Sequence, residues 1–286
     1  MKSKNLLVVA DSGSSKTDWA VIENKKVILR LSSKGINPFF ITTDEIYLIL
    51  LDTFKGTGII EKISQVYFYG AGCIRNHNSE IVEIALKNFF KNAVIEANDD
   101  MIGAARAIFG KSPGIACILG TGANSCKYDG ISISEKISAL GFILGDEGSG
   151  AWFGKTLINN YFKKIMPEDV LELFRKSYAS IEPEILTNVY KKPRASSFLA
   201  KFTWFLSENI GHPYVQELLY RGFSTFIENN VIKYSDYKRF NIGFTGSVAW
   251  YFSDVLKNVC SNYQLHVSKI IERPIESLIN YHNSIV

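Results

Sequence analysis

Apolar and polar positions along this chain draw one figure twice. Residues 6–22, LLVVADSGSSKTDWAVI, run as an apolar strand into Asp11, then a tight turn of small and hydroxyl residues, then a second strand. Residues 26–32 alternate as a third antiparallel strand and end in the turn Lys34, Gly35, Ile36, Asn37, Pro38. The pattern next predicts a helix over 43–55, opened by the capping-box spacing of Thr42 and Glu45 and closed by Lys55 and Gly56. A buried strand over 65–69 follows, ending at glycines 70 and 72, and then a helix over 78–90. The short strand AVIEAND leads into the small-residue helix MIGAARAIFG. These elements make a mixed α/β layer of about 110 residues.

At Lys111, Ser112, Pro113 and Gly114 the chain breaks, and the opening figure recurs over 115–128, IACILGTGANSCKY. Residue identity between the two stretches is slight, so the repeat is read from element order. It predicts two lobes, each opening with a hairpin whose tip can hold phosphate, and a nucleotide clamped by both tips. Residues 133–156 lead into a helical region with helices expected over 167–178, 182–191 and 196–209. The clearest periodicity lies in 213–233, where Val215, Leu218, Leu219, Phe223, Phe226 and Ile227 share one core face. Residues 240–250 read as a buried strand, a glycine turn at Gly246 and the start of a helix. The strand-like LHVSKIIE and a short helix after Pro274 end the sequence.

Composition acts mainly by exclusion. With 286 residues and 47% hydrophobic content the chain can bury one large or two medium cores. A net charge of +4, with Lys and Arg scattered, offers no basic stripe for nucleic acid. No apolar run reaches membrane-spanning length, and the few apolar residues before Asp11 are too short for a signal-peptide core. Cys73, Cys117, Cys126 and Cys260 lie far apart without a CxxC pair, as reduced thiols of a cytoplasmic protein would. The oligomeric state, a homodimer included, is left open.

The chemistry concentrates at the turns. A tip built from Gly13, Ser14, Ser15, Lys16 and Thr17 turns several N–H groups into one concavity that suits an anion, and Asp11 beside it can hold the Mg²⁺ that accompanies a nucleotide. The competing reading is an ordinary hairpin turn. SGAWFGKT, residues 149–156, is one residue short of the GxxxxGK[ST] string, begins with Ser, and puts Trp152 and Phe153 where a loop must wrap phosphate closely. It is expected to be a helix with Lys155 on its surface.

Taken together these stretches resemble the sugar kinase, actin and heat-shock ATPase superfamily, and within it the N-acetylglucosamine kinases and BadF/BadG-type ATPases. DSGSSKTD at 11–18 is similar to a first phosphate motif close to GGGTKTD, and LGTGANS at 119–125 to a second, usually LGTGSNS. LGDEGSG at 144–150 is the most specific match, and FTGSVA at 244–249 is similar to the glycine corner that holds adenosine. The resemblance implies an α/β fold of two RNase-H-like (actin-like ATPase) lobes around a nucleotide cleft: 1–112, with a C-terminal helix 273–286 returning to it, and 113–272 with a helical insertion. It also implies ATP contacts from Gly13, Ser14, Ser15, Lys16, Thr17, Gly120, Thr121, Gly122, Gly246 and Ser247, and sugar contacts from Asn37, Thr121, Asn124 and Asp146. The family's general base is an Asp followed three residues later by Gly; here that is Asp100 with Gly103, although Asp99 precedes it and either carboxylate can cap the helix.

The expected activity is therefore Mg²⁺- and ATP-dependent phosphorylation of an amino sugar, N-acetylglucosamine at its 6-hydroxyl first. Ser138, Ala139, Leu140 and Gly141 depart from the GGWG of N-acetylglucosamine kinases, which puts the sugar's identity in question. The alternatives are a BadF-type ATPase that activates a partner protein, for which no cysteine run offers cluster ligands, and a sugar sensor without turnover, which would lack Asp100. A repressor would need a helix-turn-helix segment, for which the first strand at Leu6 leaves no room.

Overall fold

The computed structural model of the chain describes residues 6–13, 15–74 and 77–285. Among them the chain divides into two compact units, one formed by the stretch up to Lys111 together with that from Arg273 onward, the other by Ser112–Glu272. In the first unit, β1 (Leu6–Ser12), β2 (Lys16–Glu23) and β3 (Lys26–Lys34) form an antiparallel meander. β4 (Ile63–Gly70) and β5 (Val94–Asp99) add in parallel on the other side of β1, giving the order β3-β2-β1-β4-β5. Side chains alternate across this sheet. Leu6, Val8 and Ala10 pack with Ile46 and Leu50 of α1 (Thr43–Thr53) and Val82 and Leu86 of α2 (Ser79–Phe89). The opposite face receives α3 (Asp100–Phe109).

The capping box at α1 forms as expected: Glu45 N–H donates to Thr42 Oγ1 at 3.3 Å and Thr42 N–H donates to Glu45 Oε2 at 2.8 Å. These bonds to Thr42 hold the Glu45 carboxyl below its usual range. The helix stops at Thr53 because Phe54 turns inward, 1% exposed, against Trp19 and Phe90 at ring-centroid distances of 5.6 and 5.1 Å.

The second unit repeats the topology. β6 (Gly114–Leu119), β7 (Ala123–Tyr128) and β8 (Ile133–Ile137) form the meander, and β9 (Ile242–Thr245) and β10 (Val267–Ile271) add in parallel, so the order is β8-β7-β6-β9-β10. β8 was not expected as a strand; it is the counterpart of β3. Between β8 and β9 the chain forms α4 (Gly141–Leu144), α5 (Gly150–Phe162), α6 (Glu168–Tyr178), α7 (Ile185–Tyr190), α8 (Ala195–Ala200), α9 (Thr203–Glu208) and α10 (Pro213–Asn229). The six residues expected on the core face of α10 are all buried.

Three of the expected helices are broken, the one over 182–191 opening as a 3₁₀ turn, Glu182–Glu184, before α7. The helix expected over 196–209 splits into α8 and α9, because Phe202 N–H reaches back only three residues to Leu199 O and its ring is drawn into the aromatic core beside Phe174. The one expected over 213–233 ends at Asn229 and continues as a 3₁₀ turn, Val231–Lys233. α11 (Ser247–Tyr251) and α12 (Ser253–Asn262) flank Phe252, and α13 (Ile275–Ile285) belongs to the first unit. α12 was not anticipated, although Val255, Leu256, Val259 and Cys260 bury one face at helical spacing. All four cysteines lie outside disulfides and are buried in the cores of the units. No helix among the described residues is long and apolar enough to cross a membrane.

Candidate active site

Parallel strands place their carboxyl ends along one edge of a sheet, and the turns that follow open there. In the first unit Ser12 of β1 lies beside Gly70 of β4, and Gly70 beside Asp99 of β5. Asp11, the turn after β4 and Asp100 therefore share one edge. Ser12 is the anchor. Its Oγ accepts from Ile36 N–H at 2.9 Å, bonds Ile36 O at 3.1 Å and meets Thr17 Oγ1 at 2.8 Å. Asn37, next to Ile36, accepts from Phe39 N–H through Oδ1 at 3.0 Å, and the same oxygen lies against the turn at Gly72. The Asn37 turn is thus tied to the first hairpin.

The first hairpin tip divides its expected ligands. Thr17 is fully buried and its hydroxyl donates to Lys34 O at 3.1 Å, so it joins β2 to β3. Gly13 N–H closes the turn on Lys16 O at 3.0 Å. Ser15 and Lys16 are exposed at the tip, with Lys16 Nζ 2.5 Å from Asp18 Oδ1, and Ser14 lies outside the described residues. Asp11 faces Asp18 across the ladder. Burial, reinforced by the Asp18 charge, pushes its pKa up to about 7. Among the described residues its carboxyl group has no hydrogen-bond partner.

At the junction of β5 and α3 the two adjacent carboxylates take different parts. Asp99 is the N-cap, its Oδ1 accepting from Met101 N–H at 2.7 Å. Asp100 occupies the first helical position. Gly103, three residues on, has no Cβ because one would lie 2.9 Å from Tyr69 Cβ. This close approach seats α3 directly on β4.

In the second unit the β6–β7 tip, the LGDEGSG loop and the glycine corner converge. Gly150 N–H donates to Gly120 O at 2.8 Å and Ala151 N–H to Thr121 O at 3.0 Å, docking the tip on the start of α5. Among the described residues the N–H groups of Thr121 and Gly122 have no partner. Asp146 is buried beneath the tip, accepts from Ala123 N–H at 3.1 Å, and sits where a Gly122 Cβ would meet its Oδ2 at 3.0 Å. Burial raises its pKa to about 6 against that backbone hydrogen bond. Asn124, the second residue of β7, accepts from Ser125 N–H through its Oδ1 at 2.9 Å. Gly246 follows β9 with φ +112°, packed so tightly that a Cβ would lie 2.4 Å from Leu119 O.

Ser247, exposed at the start of α11, opens onto a cavity of about 350 Å³ lined mostly by apolar atoms, among them Trp204, Val248, Tyr251 and Phe252. Its walls come from α8, α9 and α11, and sequence reasoning did not find Trp204 or Tyr251. The signal available was a pair of exposed aromatics, 63% and 56% accessible, near a glycine corner. The GKT of residues 154–156 lies inside α5: Gly154 backs onto the Leu199 carbonyl, and Lys155, expected on the surface, is part-buried with Nζ donating to Phe142 O at 2.8 Å. That string does not form a phosphate loop.

No family model matches the chain. An N-acetylmuramic acid/N-acetylglucosamine kinase of Clostridium acetobutylicum is 26% identical over 209 residues, covering 68% of this chain and 67% of that protein. The crystal structure of a candidate N-acetylglucosamine kinase from Porphyromonas gingivalis is 38% identical and matches 97% of this chain and 99% of that one with a TM-score of 0.91. MreB 5 of Spiroplasma citri bound to AMPPNP shares the fold at 12% identity, with a TM-score of 0.58 over 98% of this chain and 95% of that one.

Proposed function

This chain belongs to the N-acetylglucosamine kinase family and is a sugar kinase with the actin-like ATPase fold, and from that premise we propose that it transfers the γ-phosphoryl group of ATP to the 6-hydroxyl of N-acetylglucosamine. The observation that carries the reading is the division of labour at the start of α3, where Asp99 caps and Asp100 stands in the first turn on the same sheet edge as Asp11. Asp100 accepts the proton of the sugar hydroxyl as its oxygen attacks phosphorus and the ADP oxygen leaves. Asn37, Thr121, Asn124 and Asp146 hold the sugar. Asp146, ionised above about pH 6, accepts hydrogen bonds from sugar hydroxyls.

Gly13, Ser14, Ser15 and Lys16 on the first hairpin, with Thr17 holding it in shape, and Gly120, Thr121 and Gly122 on the second receive the phosphates. The adenosine lies at Gly246 and Ser247, with its base in the cavity beside Trp204 and Tyr251. The positioning of donor and acceptor, rather than covalent help from the protein, supplies most of the rate enhancement in such a transfer.

Asp11 fits Mg²⁺. Its carboxyl, which desolvation keeps protonated to about pH 7, would be this chain's ligand to the ion. Bound there, Mg²⁺ supplies charge neutralisation for the phosphates. The ion must displace a proton below pH 7 and meets a ready carboxylate above it, so affinity rises with pH. The rise in melting temperature on adding Mg²⁺ with ADP is expected to be larger at about pH 8 than at about pH 6. In Asp11→Asn that pH difference is expected to shrink to the part that the titration of the ADP phosphate itself supplies; a difference as large as the parent's in a calorimetric comparison would assign the ion elsewhere.

The buried thiols give no support to an activator ATPase that shares an iron–sulfur cluster at a surface. The direct test of the acceptor is ADP release with Mg-ATP against N-acetylglucosamine, N-acetylmannosamine, glucosamine, N-acetylmuramic acid and glucose, with the product's phosphorylated carbon located by NMR. N-acetylglucosamine is expected to stimulate release most and to carry phosphate on its 6-oxygen. Stimulation only by another member of the panel would overturn the substrate while leaving the kinase in place.

A further inference from the structure

The first unit holds a polar cluster, buried at Tyr69 and His282 and part-buried at Arg106 and Glu96, that the proposed chemistry does not use. At its centre is the hydroxyl of Tyr69, a fully buried residue of β4. Arg106 Nη1, on α3, donates to that hydroxyl at 2.8 Å and to Glu96 Oε1 of β5 at 2.9 Å. The hydroxyl also bonds Nε2 of His282, on α13, at 2.8 Å. One oxygen therefore ties β4, α3 and α13 together and reaches β5 through Arg106. The Tyr69 side chain is at the same time the surface on which Gly103 rests, with no room for a Cβ between helix and strand.

Asp100, Gly103 and Arg106 follow one another at i, i+3 spacing, which makes them neighbours along one side of α3. Tyr69 holds the second and third of these positions, one by contact and one by hydrogen bond. It thereby fixes both the height and the rotation of the helix whose first turn carries Asp100.

The cluster is a poor device for stability alone. Arg106 Nε and His282 Nδ1 are buried without a partner among the described residues, and buried unpaired donors cost free energy that well-packed apolar side chains would not. Burial, with the Arg106 charge adding to it, lowers the His282 pKa to about 4, so the imidazole is neutral near pH 7. The chain of donation then runs one way, from Arg106 to the tyrosine oxygen and from the tyrosine O–H to His282 Nε2, which puts the remaining ring proton on the unpaired Nδ1. The two bonds to the tyrosine oxygen, one received and one given, tie α3 and α13 to β4 at one point.

We propose that Tyr69 is a positioning residue for the reaction: through Gly103 and Arg106 its ring and hydroxyl set α3 so that the Asp100 carboxylate reaches the acceptor hydroxyl. The inference rests on the reading of Asp100 as proton acceptor. A displacement of about 1 Å at a reacting group is enough to lower a rate by about 10²-fold, and removing one hydroxyl from a still-packed ring should move the helix by less.

Tyr69→Phe is therefore expected to lower kcat by about 5- to 20-fold with KM for sugar and for ATP each within about twofold. The decisive readout is a double-mutant cycle with Asp100→Asn: if Tyr69 acts through Asp100, adding Tyr69→Phe to Asp100→Asn costs no further activity, whereas an independent structural effect multiplies. Leu86→Val, a core change on α2 away from the cluster, supplies the control for generic destabilisation and should leave kcat unchanged. Should Tyr69→Phe fail to fold, Arg106→Met carries the same cycle. Multiplying losses, or a Tyr69→Phe enzyme of full kcat beside an inactive Asp100→Asn one, overturn the inference alone. An Asp100→Asn enzyme of full activity overturns the reading of the base, and this inference with it.

Discussion

Asp100→Asn is expected to lower kcat by about 10²- to 10⁴-fold while ATP affinity and melting temperature stay close to those of the parent. The amide has the shape of the carboxylate and can accept a hydrogen bond from the sugar hydroxyl, but it cannot take the proton. Helix α3 should survive, because its cap is the neighbouring Asp99, whose Oδ1 holds Met101 N–H at 2.7 Å. That neighbour makes the sharper experiment. Asp99→Asn keeps a good capping residue and changes only the charge, so it should leave kcat within about threefold. The pair of variants, assayed for sugar-dependent ADP release under saturating substrates, assigns the base to one position. An inactive Asp99→Asn enzyme beside an active Asp100→Asn one would reverse the roles given to these two carboxylates.

The sequence carries the two hairpins plainly because a strand, a polar tip and a returning strand are local patterns, written within about 20 residues. The capping box of Thr42 and Glu45 is equally local, and it forms where expected. The ambiguity between Asp99 and Asp100 is also local, yet only the cap hydrogen bond distinguishes them, and that depends on where β5 stops. β8 was visible in principle. ISEKI alternates, and a repeat of the first unit's meander demands a third strand at that point, but the glycines and apolar residues that follow have helical spacing and mask it. The split of the helix expected over 196–209 follows from an aromatic core that claims Phe202, a demand no window of sequence contains.

The candidate site divides along the same line. Thr17 reads as a phosphate donor from its motif, but its hydroxyl is occupied by Lys34, half a meander away. The contacts that organise the second unit's corner join residues 30 and 127 positions apart, Gly120 O with Gly150 N–H and Leu119 with Gly246. Spacing along the chain has nothing to say about such meetings. The Tyr69–His282 bond spans 213 residues and is silent in the sequence for the same reason.

Gly246→Ala is expected to weaken the second unit by about 2–4 kcal/mol and to raise KM for ATP at least about tenfold in the protein that still folds. Two costs add. At φ +112° an L side chain is strained, by about 1–3 kcal/mol, and the new methyl lies 2.4 Å from Leu119 O and 2.8 Å from Leu119 C. Neither the carbonyl nor Gly246 can retreat easily: Leu119 ends β6, and Gly246 N–H is bonded to Ile271 O of β10 at 3.1 Å. The strand end must move instead, and with it Gly120 to Gly122, the tip proposed to receive phosphate. Gly211→Ala, at an exposed position with nothing within 4 Å of the new carbon, should change stability by less than about 0.5 kcal/mol and leave ATP binding alone. Urea midpoints and ATP titrations of the two variants separate local strain from a generic glycine effect. A Gly246→Ala protein that lost stability but bound ATP normally would mean that the corner supports the fold without shaping the phosphate tip, and the adenosine would have to be sought away from Gly246.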